Sequence, residues 1–234
     1  MNSRAKEVND EIKILYEDNH LLVVEKPPNV LSQSDDTGDA DMLNLLKADI
    51  KKRYNKPGNV YLGLVHRLDR PVGGVMVFAK TSKCASRLSE QIRQHEFKKK
   101  YLAVVHGTFK KSYGRLEDYL LKDSSTNTVK VVDSSNDKSL KAVLEYEVIG
   151  ESSSLSLVKI NLITGRPHQI RVQFSHSGHP LYGDRKYGKE HNKDVDQIAL
   201  WAVEITCKHP TLQKEMTFTS NPPNIYPWNI FIPK

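Results

Sequence analysis

Short β-prone runs joined by turn-forming residues recur along this chain, and that pattern limits the folds open to it more than any other feature. Residues 12–16 and 21–25 flank Glu17-Asp18-Asn19-His20 and read as a hairpin. Lys26-Pro27-Pro28-Asn29 then forces an extended loop, since each proline restricts its predecessor and removes a backbone donor. Residues 60–65 and 75–80 read as strands on either side of Asp69, and 101–106, ended by Gly107, carry a strong strand signal. A Ser-, Asp- and Asn-rich stretch, 123–139, surrounds a short strand at 128–132 and reads as peripheral hairpins. Strands at 142–149 and 154–163 meet across Gly150-Glu151-Ser152, and 198–205 and 216–219 complete the series. The proline-bearing tail from Asn221 ends in apolar residues suited to docking on the body.

Helical spacing interrupts the strands in a few places. Met42, Leu45, Leu46 and Ile50 recur behind an acidic start over 41–54, and Pro57-Gly58 ends that helix. Thr81 or Ser82 caps a second helix that runs to about Gln94. Residues 164–178 carry a further helix signature: a Thr164 or Gly165 cap, Pro167 in the first turn and Gly178 just past the end. His168 and Arg171 fall three apart and share a face. A loop at 179–188 follows. Hairpins interleaved with few helices indicate α+β with a mainly antiparallel sheet, as opposed to a βαβ repeat.

The 234 residues suffice for one large domain or two small ones, and 27% charged against 38% hydrophobic residues is ordinary globular usage. A net charge of +7 favours an anionic partner. Between 83 and 111, eight basic residues (Lys83, Arg87, Arg93, Lys98, Lys99, Lys100, Lys110, Lys111) face two acidic ones, Glu90 and Glu96. A solvated helix face followed by a lysine-studded strand edge explains this segment, and so does a nucleic-acid surface. Cys84 and Cys207 are too few for a disulfide framework and fit a reducing compartment. The first eleven residues lack an apolar signal core, and no apolar run approaches the roughly 18 residues of a membrane span. The expectation is a soluble cytoplasmic protein.

Gly63-Leu64-Val65-His66-Arg67-Leu68-Asp69-Arg70-Pro71-Val72-Gly73-Gly74 sets one carboxylate between two arginines on a tight turn. Flanking cations favour an ionised acid, which suits covalent or acid–base chemistry at a sugar centre. Taken alone, such a turn is more often a salt-bridged structural corner. The close histidine pair His176 and His179 has no third ligand nearby, so no metal site is expected. Phosphate-loop, dinucleotide and serine-elbow patterns are absent from the sequence.

His66-Arg67-Leu68-Asp69 followed by residues 74–80, together with Thr164-Gly165-Arg166-Pro167-His168-Gln169-Ile170-Arg171, resembles the RluA-type branch of the RNA pseudouridine synthases. Lys100-Tyr101 with Gly107, His179-Pro180-Leu181 before Gly183-Asp184, and residues 199–202 with His209-Pro210 fall in the same order. The opening matches too, at 14–18 and 23–27.

The resemblance implies a catalytic domain over 12–234 and isomerisation of selected uridines in structured ribosomal or transfer RNA, without metal or other cofactor. It implies that the base leaves C1′, turns and rejoins through C5, with Asp69 as the essential carboxylate. Tyr101 then lies against the uracil, Arg171 pairs with Asp69, and Arg67 helps extrude the nucleotide. Arg166, His168, Lys98, Lys99 and Lys100 become RNA backbone contacts. Relatives commonly carry a hydroxyl pair where this chain has Val72-Gly73, and Pro71 is also a variation. The eleven residues before the first strand form a short extension with no S4-like RNA-binding module, and a monomer is expected. A catalytically inactive RNA-binding or assembly protein on the same fold is the alternative, and a two-carboxylate glycosidase is a further rival.

Overall fold

In the computed structural model, residues 12–193, 195 and 197–231 are described; the expected extension over 1–11 lies outside them. Among the described residues the fold is α+β. Eleven strands and three α-helices alternate as the hairpin pattern requires, with two short 3-10 turns besides. The contacts divide the chain into two compact units, one of residues up to 97 with 202–221, the other of 98–201 with residues from 222 onward.

In the first unit, β1 (Lys13–Glu17) and β2 (Leu21–Lys26) form the expected antiparallel hairpin. Asp18 makes its turn by accepting from the N–H groups of His20 and Leu21, both at 2.7 Å. β2 pairs antiparallel with β4 (Gly73–Ala79), every residue of which is buried. The expected strand at 60–65 shrinks to β3 (Gly63–Leu64) on β4. The residues after it leave the ladder to form the Asp69 loop. α1 (Met42–Arg53) is capped by Asp41, which accepts from the Asn44 N–H at 3.0 Å. α2 (Ser82–Arg93) is capped in the same way by Thr81, and its Cys84 and Leu88 pack on β2 and β4 residues Leu21, Val23, Val75 and Val77. Ile205, Cys207 and Phe218, from β10 (Leu200–Lys208) and β11 (Glu215–Thr219), complete that core.

In the second unit, β5 (Lys98–His106) pairs with β9 (Leu155–Leu162), β9 with β8 (Leu140–Glu151), and β8 with β6 (Tyr113–Asp123), all antiparallel. β7 (Thr128–Val132) completes the series on β6. β6 has no counterpart among the strands expected from sequence. Its alternating, half-exposed residues are matched across the ladder by charge, as in Arg115 with Glu145 at 3.1 Å.

The third helix departs from expectation. α3 (Gln169–His176) starts after Pro167, because His168 takes a left-handed conformation (φ 51°) and cannot continue a right-handed turn backwards. Thr164 is therefore no cap. Its hydroxyl accepts from Val143 N–H at 2.8 Å and donates to Gln169 Oε1 at 2.8 Å. Gly178 does follow the helix with positive φ, and Trp228 of the tail is buried. Among the described residues no helix is long and apolar enough to cross a membrane, and no group of three or more potential ligands could hold a metal.

Candidate active site

In the first unit, a turn between β3 and β4 carries Asp69. Val72 N–H donates to the Asp69 carbonyl at 3.0 Å, with Arg70 and Pro71 at its centre. The loop is anchored at three further points. Buried Ser32 brackets Leu68, its hydroxyl donating to the carbonyl at 2.7 Å and accepting from the N–H at 3.1 Å. His66 Nε2 accepts from Val77 N–H at 2.9 Å, tying the loop to β4. Lys26, at the end of β2, has no exposed surface, and its Nζ donates to the carbonyls of Pro27 and Arg70, each at 3.0 Å. Burial pulls the Lys26 pKa down to about 7; the Asp69 carboxylate resists that shift and the Arg70 cation adds to it.

A half-buried carboxylate thus rides on a backbone that several bonds immobilise, beside an internal cation. The two flanking arginines differ. Arg70 pairs with Asp39 at 2.7 Å, whereas Arg67 is exposed. Val72 is buried, so apolar packing holds that side of the turn.

The second unit carries Tyr101, Arg171 and the candidate RNA contacts. Tyr101 is buried on β5 opposite Ile160. Arg171 is buried on α3 and forms a bidentate pair with Asp184, Nε to Oδ2 and Nη2 to Oδ1, both at 2.8 Å. Asp184 also accepts the N–H groups of Lys186 and Tyr187 at 3.0 and 3.2 Å. The Arg171 guanidinium lies 5.2 Å from the Tyr187 ring centre. Tyr187 is itself fixed: its hydroxyl accepts from Val129 N–H at 2.9 Å and meets His168 Nδ1 at 2.6 Å. His168 and Arg171 therefore do share a side, both against Tyr187.

Gln169 pins the loop before α3. Its Oε1 accepts from Arg166 N–H at 3.0 Å and its Nε2 donates to the Val143 carbonyl at 3.0 Å. Arg166 Nε donates to the Lys141 carbonyl at 3.0 Å. Of the three lysines, Lys98 is exposed while Lys99 and Lys100 are half-buried. Burial pushes the Lys99 pKa down.

Sequence reasoning passed over Ser32 and Tyr187. Lys26 and Asp184 stood among the matched residues without a role. For both the signal existed, as a charged residue inside a quoted motif. For Ser32 it did not, because its partner lies 36 residues away.

A family model for RNA pseudouridylate synthase matches residues 20–176, an interval that contains Asp69, Tyr101 and Arg171. Ribosomal large subunit pseudouridine synthase C of Buchnera aphidicola subsp. Baizongia pistaciae is 34% identical over 214 residues, which is 88% of this chain and 66% of that protein. An uncharacterized RNA pseudouridine synthase of Mycoplasma pneumoniae is 34% identical over 209 residues, 88% of this chain and 65% of its own. The chain thus spans just under two thirds of the length of these relatives. The solved structure of human RNA pseudouridylate synthase domain containing 4 matches with a TM-score of 0.77 at 24% identity, over 95% of this chain and 92% of that one, a likeness of fold.

Proposed function

The chain belongs to the RNA pseudouridylate synthase family, and from that premise we propose that it isomerises selected uridines in structured RNA, ribosomal or transfer, to pseudouridine. The observation that carries the reading is Asp69, within the matched interval, on a turn that Lys26, Ser32 and His66 anchor. Residues 12–234 act as the catalytic domain, as a monomer in the cytoplasm and without cofactor.

Asp69 is the essential carboxylate. It either adds to C1′ or removes the 2′ proton to give a glycal, and a primary isotope effect from 2′-deuterium marks the second route. In both, the N1–C1′ bond breaks and the uracil turns; C5 bonds to C1′ as the Asp69–C1′ bond breaks in the first route or as C2′ of the glycal regains its proton in the second, and the C5 proton then leaves while N1 gains one. Tyr101 lies against the uracil and assists that last step, and Arg171, aimed by Asp184 and Tyr187, serves as the cation for Asp69. Arg67 helps extrude the nucleotide, while Arg166, His168 and the lysines hold backbone. The presence of Asp69, Tyr101 and Arg171 together weighs against an inactive RNA-binding protein, which has no use for all three.

The test is to incubate the protein with total RNA from a strain lacking its gene and to map pseudouridine base by base. At least one uridine is expected to convert, and Asp69→Asn is expected to lower the rate about a hundred-fold or more. No gain of pseudouridine at any site, or a fully active Asp69→Asn, defeats the reading.

A further inference from the structure

Alternation along β5 sorts the three lysines. Lys98 and Lys100 point to one face, and Lys99 shares the other with Tyr101. On that face Lys99 reaches the loop before α3. A Cβ placed on Gly165 would lie 2.8 Å from its Nζ, so the ammonium rests against bare backbone at the one position without a side chain. No hydrogen bond or ion pair joins Lys99 Nζ to another described residue. Arg166, next along the chain from Gly165, is committed to the Lys141 carbonyl.

A half-buried cation with no counter-charge is unfavourable in the protein alone, and an anionic ligand at that point would relieve it. Two residues along a strand span about 7 Å, within the reach of one nucleotide. We propose that the Lys99 ammonium, set against Gly165, binds a phosphodiester of the RNA at the nucleotide whose base meets Tyr101. This rests on the pseudouridine synthase reading and assigns one lysine of the three a specific contact. The downward push of burial on the Lys99 pKa, with no acidic group opposing it, fits a site completed by the ligand.

The test uses the full chain and a fluorescein-labelled RNA hairpin with a uridine-rich loop. Its dissociation constant is measured between 50 and 200 mM salt, which are roughly the limits over which phosphate contacts dominate the change. Lys99→Met is expected to weaken binding about ten-fold and to reduce the slope of log affinity against log salt by about 0.7, one single-strand phosphate contact. Lys138→Met, at an exposed lysine with no assigned RNA contact, is expected to change affinity less than about two-fold, as a charge acting from a distance. The melting temperature of Lys99→Met should equal or exceed that of the parent, since the variant removes an uncompensated charge. Gly165→Ala keeps every charge but displaces the ammonium, and should reproduce the loss of affinity.

A Lys99→Met protein that binds with the parent's affinity and salt slope overturns the proposal. So does a Gly165→Ala protein that binds normally. If the parent converts uridine and these variants match it, only the Lys99 assignment falls. If the parent neither binds nor converts RNA, the functional reading falls with it.

Discussion

Lys26 is the residue whose placement is physically most demanding, because an ammonium with no exposed surface must be compensated or lose its proton. Its two acceptors are backbone carbonyls, and a neutral amine retains two N–H groups, one for each. The bonds that hold the Asp69 turn therefore survive deprotonation. With its pKa brought down to about 7, Lys26 makes stability depend on pH. From about pH 7 to 10.5 the unfolded chain binds a proton that the folded chain does not. Stability then rises with pH across this window, by up to roughly 1.4 kcal/mol per unit, and this contribution is flat below it. Urea denaturation of the parent and of Lys26→Met at pH 6, 7.5 and 9 should show the parent gaining on the variant between the last two. Parallel pH curves would refute the buried, titrating lysine. Sequence made Asp69 legible because its charge and motif are local. The burial of Lys26 was not legible, since a lysine ending a strand normally carries its head into water, and one of the two carbonyls that receive this one, that of Arg70, is distant in sequence.

Elements were legible where their signals are local. α1 and α2 begin and end within a residue or so of the positions that Asp41, Thr81 and Gln94 mark. The hairpin of β1 and β2 follows from its turn residues. Elements defined by partners were not. β6 is held by its antiparallel ladder to β8, and the start of α3 is set by the left-handed His168 and by Gln169 reaching back to Val143. Gly74 shows how closely β4 is fitted. It has φ +117°, and a Cβ there would lie 2.2 Å from the Ala202 carbonyl oxygen and 2.6 Å from its nitrogen, which are backbone atoms of the neighbouring β10. Gly38 also has positive φ, +73°, but nothing lies within 4 Å of its Cβ position. Gly74→Ala is therefore expected to destabilise by about 3 kcal/mol or more, through clash plus strain, and Gly38→Ala by about 1–2 kcal/mol through strain alone. Chemical denaturation of both variants measures the difference. Equal losses would mean that β10 yields to the methyl.

At the scale of the whole chain, the division into two units was not legible, and the reason is covalent order. The chain leaves the first unit after Phe97, at the threshold of β5, and re-enters it between Trp201 and Ala202, near the start of β10. Neither place carries the proline or glycine that marks a linker, and the lysine run at 98–100 opens a strand, so sequence reading placed one domain over 12–234. The first unit consequently depends on residues far along the chain. Ile205, Cys207 and Phe218 belong to its core, Gln91 exchanges hydrogen bonds with the Lys208 backbone at 2.8 and 2.9 Å, and His209 meets Asp18 at 2.8 Å. Losing the three apolar side chains alone removes about 5–9 kcal/mol of burial, comparable with the whole stability of a small domain. A fragment of residues 1–97 is therefore expected to lack a cooperative thermal transition and dispersed amide resonances. The same fragment joined to 202–221 through a flexible Gly/Ser linker should regain both. Cooperative melting of 1–97 by itself would show that the N-terminal strands and helices form a core without β10 and β11, contrary to the packing of Phe218 and Ile205 among them.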